Sequence, residues 1–481
     1  MLGGDEMESI WLKDIRENTE HPAQSGPSDT GRKSRTDLPP RAEVAVIGAG
    51  MAGMLCARML ADQGADVAVL EARVAGHGQT KNTTAKITSQ HGLIYDKLVR
   101  TMGHDRAFLY ARANQSAVEE YERMIRARNI DCGFVRLPAC LYSKEESGRI
   151  HLEKEYRAAV SLGLPAVLTS DTSLPFPVTE ALLFENQAQF HPLKFLEAVR
   201  EGIPVFEHTA VQKVEGHRLI TDRGIMEAEK IIFACHYPFQ NVPGFYFARM
   251  HQERSYVLAL EAGGGKQVNL DGMYYGVDED GLSFRKAGPY ILMGGGGHRT
   301  GEGCDGFSFE YLRGQAKTLW PDLRIVSEWA AQDCMTLDAV PYIGKYSRLR
   351  PYWYIASGFQ KWGMTGSMVS ALILRNLVMG IESPWEQVFS PQRWTWKASA
   401  GSFLKEGYHA LRGLTAFGTP RCPHMGCRLS WNQEEHSWDC PCHGSRFSEN
   451  GSLIDNPAQT DLRDRCQNRE DFSWSGKSGT F

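Results

Sequence analysis

Two short stretches near the carboxyl end carry residues able to bind a metal cluster: Cys422-Pro-His424-Met-Gly-Cys427 and Cys440-Pro-Cys442-His443-Gly-Ser445. Each pairs a thiol with an imidazole. Brought together on neighbouring loops, the pairs offer two thiolates to one iron and two neutral imidazoles to the other in a [2Fe–2S] cluster. Zinc is the alternative, because Cys and His at short spacing also hold a structural zinc ion in a closed tetrahedral site. Zinc sites favour roughly two to four residues between paired cysteines. Here a single residue separates Cys422 from His424, and each pair mixes Cys with His. The spacing favours iron, and with it electron transfer.

The other end of the chain carries Gly48-Ala-Gly50-Met-Ala-Gly53, entered directly from the apolar run Ala42-Glu-Val-Ala-Val-Ile47. Good helix formers follow from Met54 to Gln63, and Ala65-Asp-Val-Ala-Val-Leu70 reads as a second strand ending at Glu71. Strand, glycine turn, helix, strand and acidic residue complete a dinucleotide-binding fingerprint. The glycines permit the tight turn and bring backbone amides to a pyrophosphate at the helix N-terminus, and Glu71 accepts from an adenosine ribose. FAD and NAD share this unit. The stretch Gly76 to Gly92, containing Thr80, Thr83, Thr84, Lys86, Thr88 and His91, is dense in small and hydroxyl residues and suits phosphate and flavin contacts.

Residues 422 to 459 resemble the cytochrome bc-type Rieske signature, including Gly444-Ser445 after the last ligand and the later Asn456-Pro457-Ala458. The ring-hydroxylating oxygenase type is less similar, since it normally lacks the paired extra cysteines. The resemblance implies Cys422, His424, Cys440 and His443 as iron ligands, with a Cys427–Cys442 disulfide locking the two loops over the cluster. It also implies a hydrogen bond from Ser445 to a bridging sulfide. Where high-potential relatives carry a tyrosine two residues beyond that serine, Phe447 stands here, which implies a lower potential.

Roughly residues 42 to 380 resemble the D-amino-acid oxidase (DAO) superfamily of FAD-dependent oxidoreductases. Thr83 to Gly92, Ala330-Ala-Gln332-Asp333 and Gly358-Phe-Gln-Lys-Trp362-Gly-Met364-Thr365-Gly366 carry that likeness. The whole chain is similar to a bacterial subfamily in which such a flavoprotein bears a C-terminal Rieske domain. FAD contacts are thereby implied at Gly48, Gly50, Gly53, Glu71, Ala72, Thr83, Thr84, the backbone of Val211, Ala234, Gly358, Met364 and Thr365.

The elements that must position these residues follow. The expected fold class is α/β, a discontinuous Rossmann-like FAD domain with an antiparallel-sheet substrate domain, plus a small all-β Rieske domain. Residues 1–41 are a polar arm and linker whose apolar anchor is Ser9-Ile-Trp11. The flavoprotein spans 42–380, with its FAD domain at about 42–92, 190–245 and 325–380 and its substrate domain at about 93–189 and 246–324. A connector at 381–405, the cluster domain at 406–465 and a tail at 466–481 complete the chain. Only about twenty residues lie between Phe403 and Cys422, so the cluster domain is abbreviated and is expected to lean on the flavoprotein, small domains being marginal without metal or crosslinks.

The chain has 481 residues, 42% of them hydrophobic, and a formal charge of −4. With no basic excess, nucleic acid and acidic membrane surfaces are unfavoured partners. No apolar run approaches the roughly eighteen residues of a membrane span, and the polar start lacks a signal pattern. A cytoplasmic location is expected, with Cys56, Cys132, Cys140, Cys235, Cys304 and Cys334 as ordinary reduced thiols.

The resemblance implies oxidation of a C–N bond in a small amine or amino acid, with electrons passing singly from reduced FAD to the cluster. They would leave through exposed His424 and His443 to an unidentified acceptor. A dehydrogenase is favoured over an oxidase, because the cluster takes one electron at a time. For an amino-acid carboxylate, Arg285 and Arg299 are the candidate guanidinium partners. His91, Tyr256 and Lys361 are further residues able to face the flavin. Two alternatives remain open: electron flow from a donor protein through the cluster into FAD, and a non-catalytic redox sensor or electron carrier. A Rieske oxygenase is disfavoured, as no stretch supplies the two-histidine, one-carboxylate iron site.

Overall fold

The computed structural model describes residues 7–20, 37–262, 268–303, 308–393 and 420–462. Residues 394–405 of the expected connector, 406–419 and 463–465 of the expected cluster domain, and the tail 466–481 lie outside the described residues.

The glycine turn belongs to an eight-stranded sheet. Its main path runs Tyr342–Ser347, Arg350–Ser357, Gly224–Phe233, Arg41–Ile47, Val67–Leu70 and Val205–Phe206. The central pairs are parallel, with Val44 opposite both Lys230 and Val67. Strands buried on both faces read as apolar runs; Val44, Ala45, Val46 and Val69 are fully buried. The helix Met51–Ala61 covers one face and packs on Gly363–Val378, the helix that follows the Gly358 to Trp362 turn.

The second sheet has nine strands, built around Met250–Ala262 between Leu323–Thr336 and Tyr290–Arg299. It is mixed rather than wholly antiparallel, because Met273–Gly276 lies parallel to Val135–Ser143. Two strands expected with the FAD domain pair here instead. Leu323–Thr336 runs along the length of Met250–Ala262, and Lys86–Ile87 joins Glu180–Gln189. The chain therefore changes sheet between Glu71 and Lys86, and the loop between them spans both domains.

The cluster domain is a four-stranded antiparallel sheet of Ser430–Asn432, Ser437–Asp439, Arg446–Ser448 and Leu453–Asp455. Among the described residues its buried core is small: the four cysteines Cys422, Cys427, Cys440 and Cys442 with Leu429, Phe447 and Ala458. Ahead of everything, the helix Ile10–Glu20 docks through buried Ile10, Trp11 and Leu12. The expected apolar anchor of the arm is thus seated in the main core.

Candidate cofactor sites

A cavity of about 930 Å³ opens where the two large sheets meet. Gly48, Gly50, Glu71, Ala72, Thr83, Thr84, Val211, Ala234 and Met364 line it, as do His91, Tyr256 and Lys361. Glu71 accepts a hydrogen bond from the Ala49 amide at 2.8 Å, which ties the end of the second strand to the glycine turn. Its carboxylate keeps further acceptor capacity for a ribose hydroxyl. The volume and the converging turn, helix start and carboxylate fit a dinucleotide such as FAD.

Three of the expected contacts act behind the wall rather than on it, since Gly53, Gly358 and Thr365 do not line the cavity. A Cβ on Gly53 would stand 1.9 Å from the Gly48 carbonyl oxygen, so this glycine sets how closely the helix approaches the turn. A Cβ on Gly358 would sit 2.3 Å from the Thr336 Cγ2. Thr365 is buried, and its Oγ1 accepts from the Thr88 amide at 3.0 Å and donates to the Thr88 carbonyl at 2.8 Å. It locks the flavin-side loop to the helix Gly363–Val378.

The loop from Gln79 to Thr84 is held by residues that sequence reasoning did not assign. Trp11 donates to the Thr83 carbonyl at 2.7 Å, and Trp329 to the Asn82 carbonyl at 2.9 Å. Trp11 was legible only as an anchor, because its partner lies far along the chain. His91 stacks on Trp362 with centroids 5.1 Å apart and bonds Tyr110 and the Thr88 carbonyl, both at 2.7 Å. Burial pushes its pKa down to about 3, so the ring is neutral. Lys86 lines the cavity, and burial, then the charge of Arg285, lowers its pKa to about 7. Burial also raises the carboxyl of Asp333, another wall residue, to about 6.

Neither candidate arginine faces this cavity, which corrects the expected carboxylate role. Arg285 is buried beneath it, donating to the Ala85 carbonyl at 2.8 Å with its guanidinium 5.3 Å from the Trp11 ring centroid. Arg299 reaches the cluster domain, donating to the carbonyls of Pro441 at 2.8 Å and Cys442 at 3.2 Å. Lys361, next to Trp362 on the wall, brings a cation there, its Nζ 3.4 Å from Glu253. Burial opposes its charge, but Tyr275, Glu253 and Asp333 outweigh burial and raise its pKa.

At the other site, the Cys427–Cys442 disulfide is formed and joins the two ligand loops. Cys422 and Cys440 are buried side by side, within hydrogen-bonding reach of each other, and that contact favours the thiolate of Cys422. The rings of His424 and His443 are 4.9 Å apart. The Nδ1 of His424 is buried without a hydrogen-bond partner, as suits a ligand atom. This donor set of two thiols and two imidazoles fits a [2Fe–2S] cluster.

The two imidazoles differ in exposure, His424 being half-buried and His443 buried. His443 is 5% exposed, with its ring near Tyr237 and Phe247, and His424 Nε2 lies 3.1 Å from the Asn241 side-chain oxygen. Both face the flavoprotein; His443 is enclosed there, which corrects the expectation of exposure for that histidine, while His424 is half-buried. Gln252 spans the junction: its amide nitrogen donates to the His443 carbonyl at 2.8 Å, and its oxygen meets His236 Nε2, on the cavity wall, at 3.0 Å. Gly444 makes that approach possible, because a Cβ there would lie 2.5 Å from the Gln252 Cβ. Gln332, also on the wall, donates to the Gly444 carbonyl at 2.7 Å. Arg254, Glu435 and Arg446 form a buried charge array across the same face, with Arg254 Nε 2.9 Å and Arg446 Nη2 2.7 Å from Glu435.

The family profile described as FAD dependent oxidoreductase (DAO) matches residues 43–377, and that of the Rieske [2Fe-2S] domain matches 412–465. A Bacillus subtilis (strain 168) protein, YhfW, by name a Rieske 2Fe-2S iron-sulfur protein, is 32% identical over 92% of this chain and 98% of its own. Among solved structures, L-proline dehydrogenase from P. horikoshii superposes with a TM-score of 0.62 at 18% identity, covering 74% of this chain and 98% of that one. Glycine oxidase from Geobacillus kaustophilus gives 0.61 at 20% identity, covering 74% and 100%. At these identities the two structures establish the fold of the flavoprotein body.

Proposed function

This chain belongs to the DAO family of FAD-dependent oxidoreductases and carries a Rieske [2Fe–2S] domain, and from that premise we propose that it is a dehydrogenase of amino acids or small amines. When bound, FAD supplies two-electron acceptance from the substrate C–N bond, and the cluster takes electrons singly for release to an external acceptor.

The chain's own residues place and enclose the reacting groups. Lys361, cationic beside Glu253, is the residue that meets a substrate carboxylate, in place of the two arginines. Trp362, stacked on neutral His91 and tilted against Tyr275 at 5.5 Å, gives the substrate end an aromatic wall that excludes water. Lys86 and Asp333 are the wall residues able to hold or release a proton near neutrality. The Gln252 bridge from His236 to the His443 carbonyl carries the proposal, because it couples the cavity wall directly to a cluster ligand.

The test is an anaerobic titration of the purified holoprotein with a panel of amino acids and amines. Flavin absorbance and the cluster's electron paramagnetic signal are followed together. An active substrate bleaches the flavin and then brings up the reduced-cluster signal. Bleaching that never reduces the cluster defeats the internal electron path. If no amine bleaches the flavin but a reduced ferredoxin does, electrons enter through the cluster and the dehydrogenase reading falls.

A further inference from the structure

The cluster domain does more than adjoin the flavin cavity. Six of its residues, Leu453, Ile454, Asp455, Asn456, Ala458 and Gln459, line that cavity. They share it with Glu71, Ala72, Arg73, Val211 and Gln212, the nucleotide end defined by the fingerprint carboxylate.

The segment is tied to that end of the flavoprotein at several points. Arg73, two residues beyond Glu71, donates to the Leu453 carbonyl at 3.0 Å and also to that of Ile454. Gln459 donates to the Gln212 carbonyl at 3.0 Å. Asn456 Nδ2 bonds the carbonyls of Cys235 at 2.9 Å and Tyr237 at 2.7 Å. Gln79, at the opposite side of the turn, reaches Asp455 at 3.4 Å.

The same segment is tied to the cluster loops. The Ala458 amide donates to Ser445 Oγ at 3.0 Å, and Ala458 packs in one core with Cys422 and Cys440. Leu453–Asp455 pairs with Arg446–Ser448, the strand that leaves the second ligand loop. With so small a core, the position of the segment depends on the ligands being held together.

We propose that segment 453–459 is a wall of the FAD site contributed by the Rieske domain, so that FAD retention depends on that domain being docked and iron-loaded. A surface that closes the nucleotide end slows cofactor escape, and the coupling is reciprocal: bound FAD strengthens docking of the domain by the same factor. The proposal concerns cofactor retention and stands whether or not electrons pass between the two groups.

The experiment compares FAD dissociation from the full-length holoprotein before and after iron removal, and from iron-loaded Gln459→Ala. Recovery of free-flavin fluorescence reads release, the paramagnetic signal reads the cluster, and the far-UV signal reads the body. Iron removal is expected to weaken FAD binding about tenfold, and Gln459→Ala severalfold with its cluster retained. Faster release in either protein with the far-UV signal unchanged supports the wall. Release at the wild-type rate from both overturns it. So does release that occurs only as the far-UV signal collapses, because loss of a wall leaves the body folded.

Discussion

Lys86 shows how far a residue's chemistry can depart from its type. It sits in the short strand Lys86–Ile87, Nζ 3.3 Å from the Tyr274 carbonyl and bonded to Ser283 Oγ, with no carboxylate among these partners. Burial, reinforced by Arg285, brings its folded-state pKa to about 7 from 10.5. A base lowered in this way binds fewer protons folded than unfolded between those values, so stability rises with pH across that window. The penalty is complete below pH 7 and is relieved toward pH 10.5. Lys86→Met should therefore remove this slope: in urea unfolding, its advantage over wild type should shrink by about 2 kcal/mol between pH 7 and pH 9. Equal slopes in the two proteins would show that the amine is solvated. The lysine was visible in the sequence within a hydroxyl-rich loop, but its depressed pKa was not, since desolvation depends on what packs over it.

The strand Met250–Ala262 is the element that joins the two sites. Side chains alternate across a strand, and the burial pattern over its first seven residues alternates likewise. Gln252 and Arg254 point to the cluster domain and meet the His443 carbonyl and Glu435. Glu253 and Ser255 meet Lys361 and Asp333 on the cavity side. A one-residue slip in register would exchange the two sets. Glu435 is held ionised by Arg254 and Arg446 despite the opposing effect of burial. Glu435→Gln would leave two buried guanidinium groups without their shared carboxylate, a loss of about 3–5 kcal/mol for a broken buried pair. The expected readout is rapid proteolysis within residues 420–462 while the flavoprotein body stays resistant. Unchanged resistance would mean that Asp439 and Asp455 suffice. Alternation in this strand was partly legible in the sequence, but the identity of the layer on each side was not.

At the scale of the molecule, a small iron–sulfur domain borrows its support from a larger body. Among the described residues its core is four cysteines and three other side chains, too slight to offset chain entropy alone. A fragment of residues 406–465 reconstituted with iron and sulfide is expected to show no stable cluster signal and full protease sensitivity, whereas the full chain retains both cluster and resistance. A fragment that assembles a stable cluster would remove the argument for borrowed support. The sequence by itself determined the chemistry that depends on local spacing: the Cys-His pairs, the glycine turn with Glu71 and the two domain types. Such motifs are legible because a turn or a ligand loop is set by residues a few positions apart. Only the tertiary structure decided what the long-range partners do. It moved Arg285 under the cavity and Arg299 onto the ligand loop, turned His424 and His443 toward the flavoprotein, and set Gln252 between the sites. The strand Leu323–Thr336 left the expected FAD domain for the second sheet for the same reason. Strand pairing and domain docking join residues hundreds of positions apart, and no local pattern records which surface a side chain will meet.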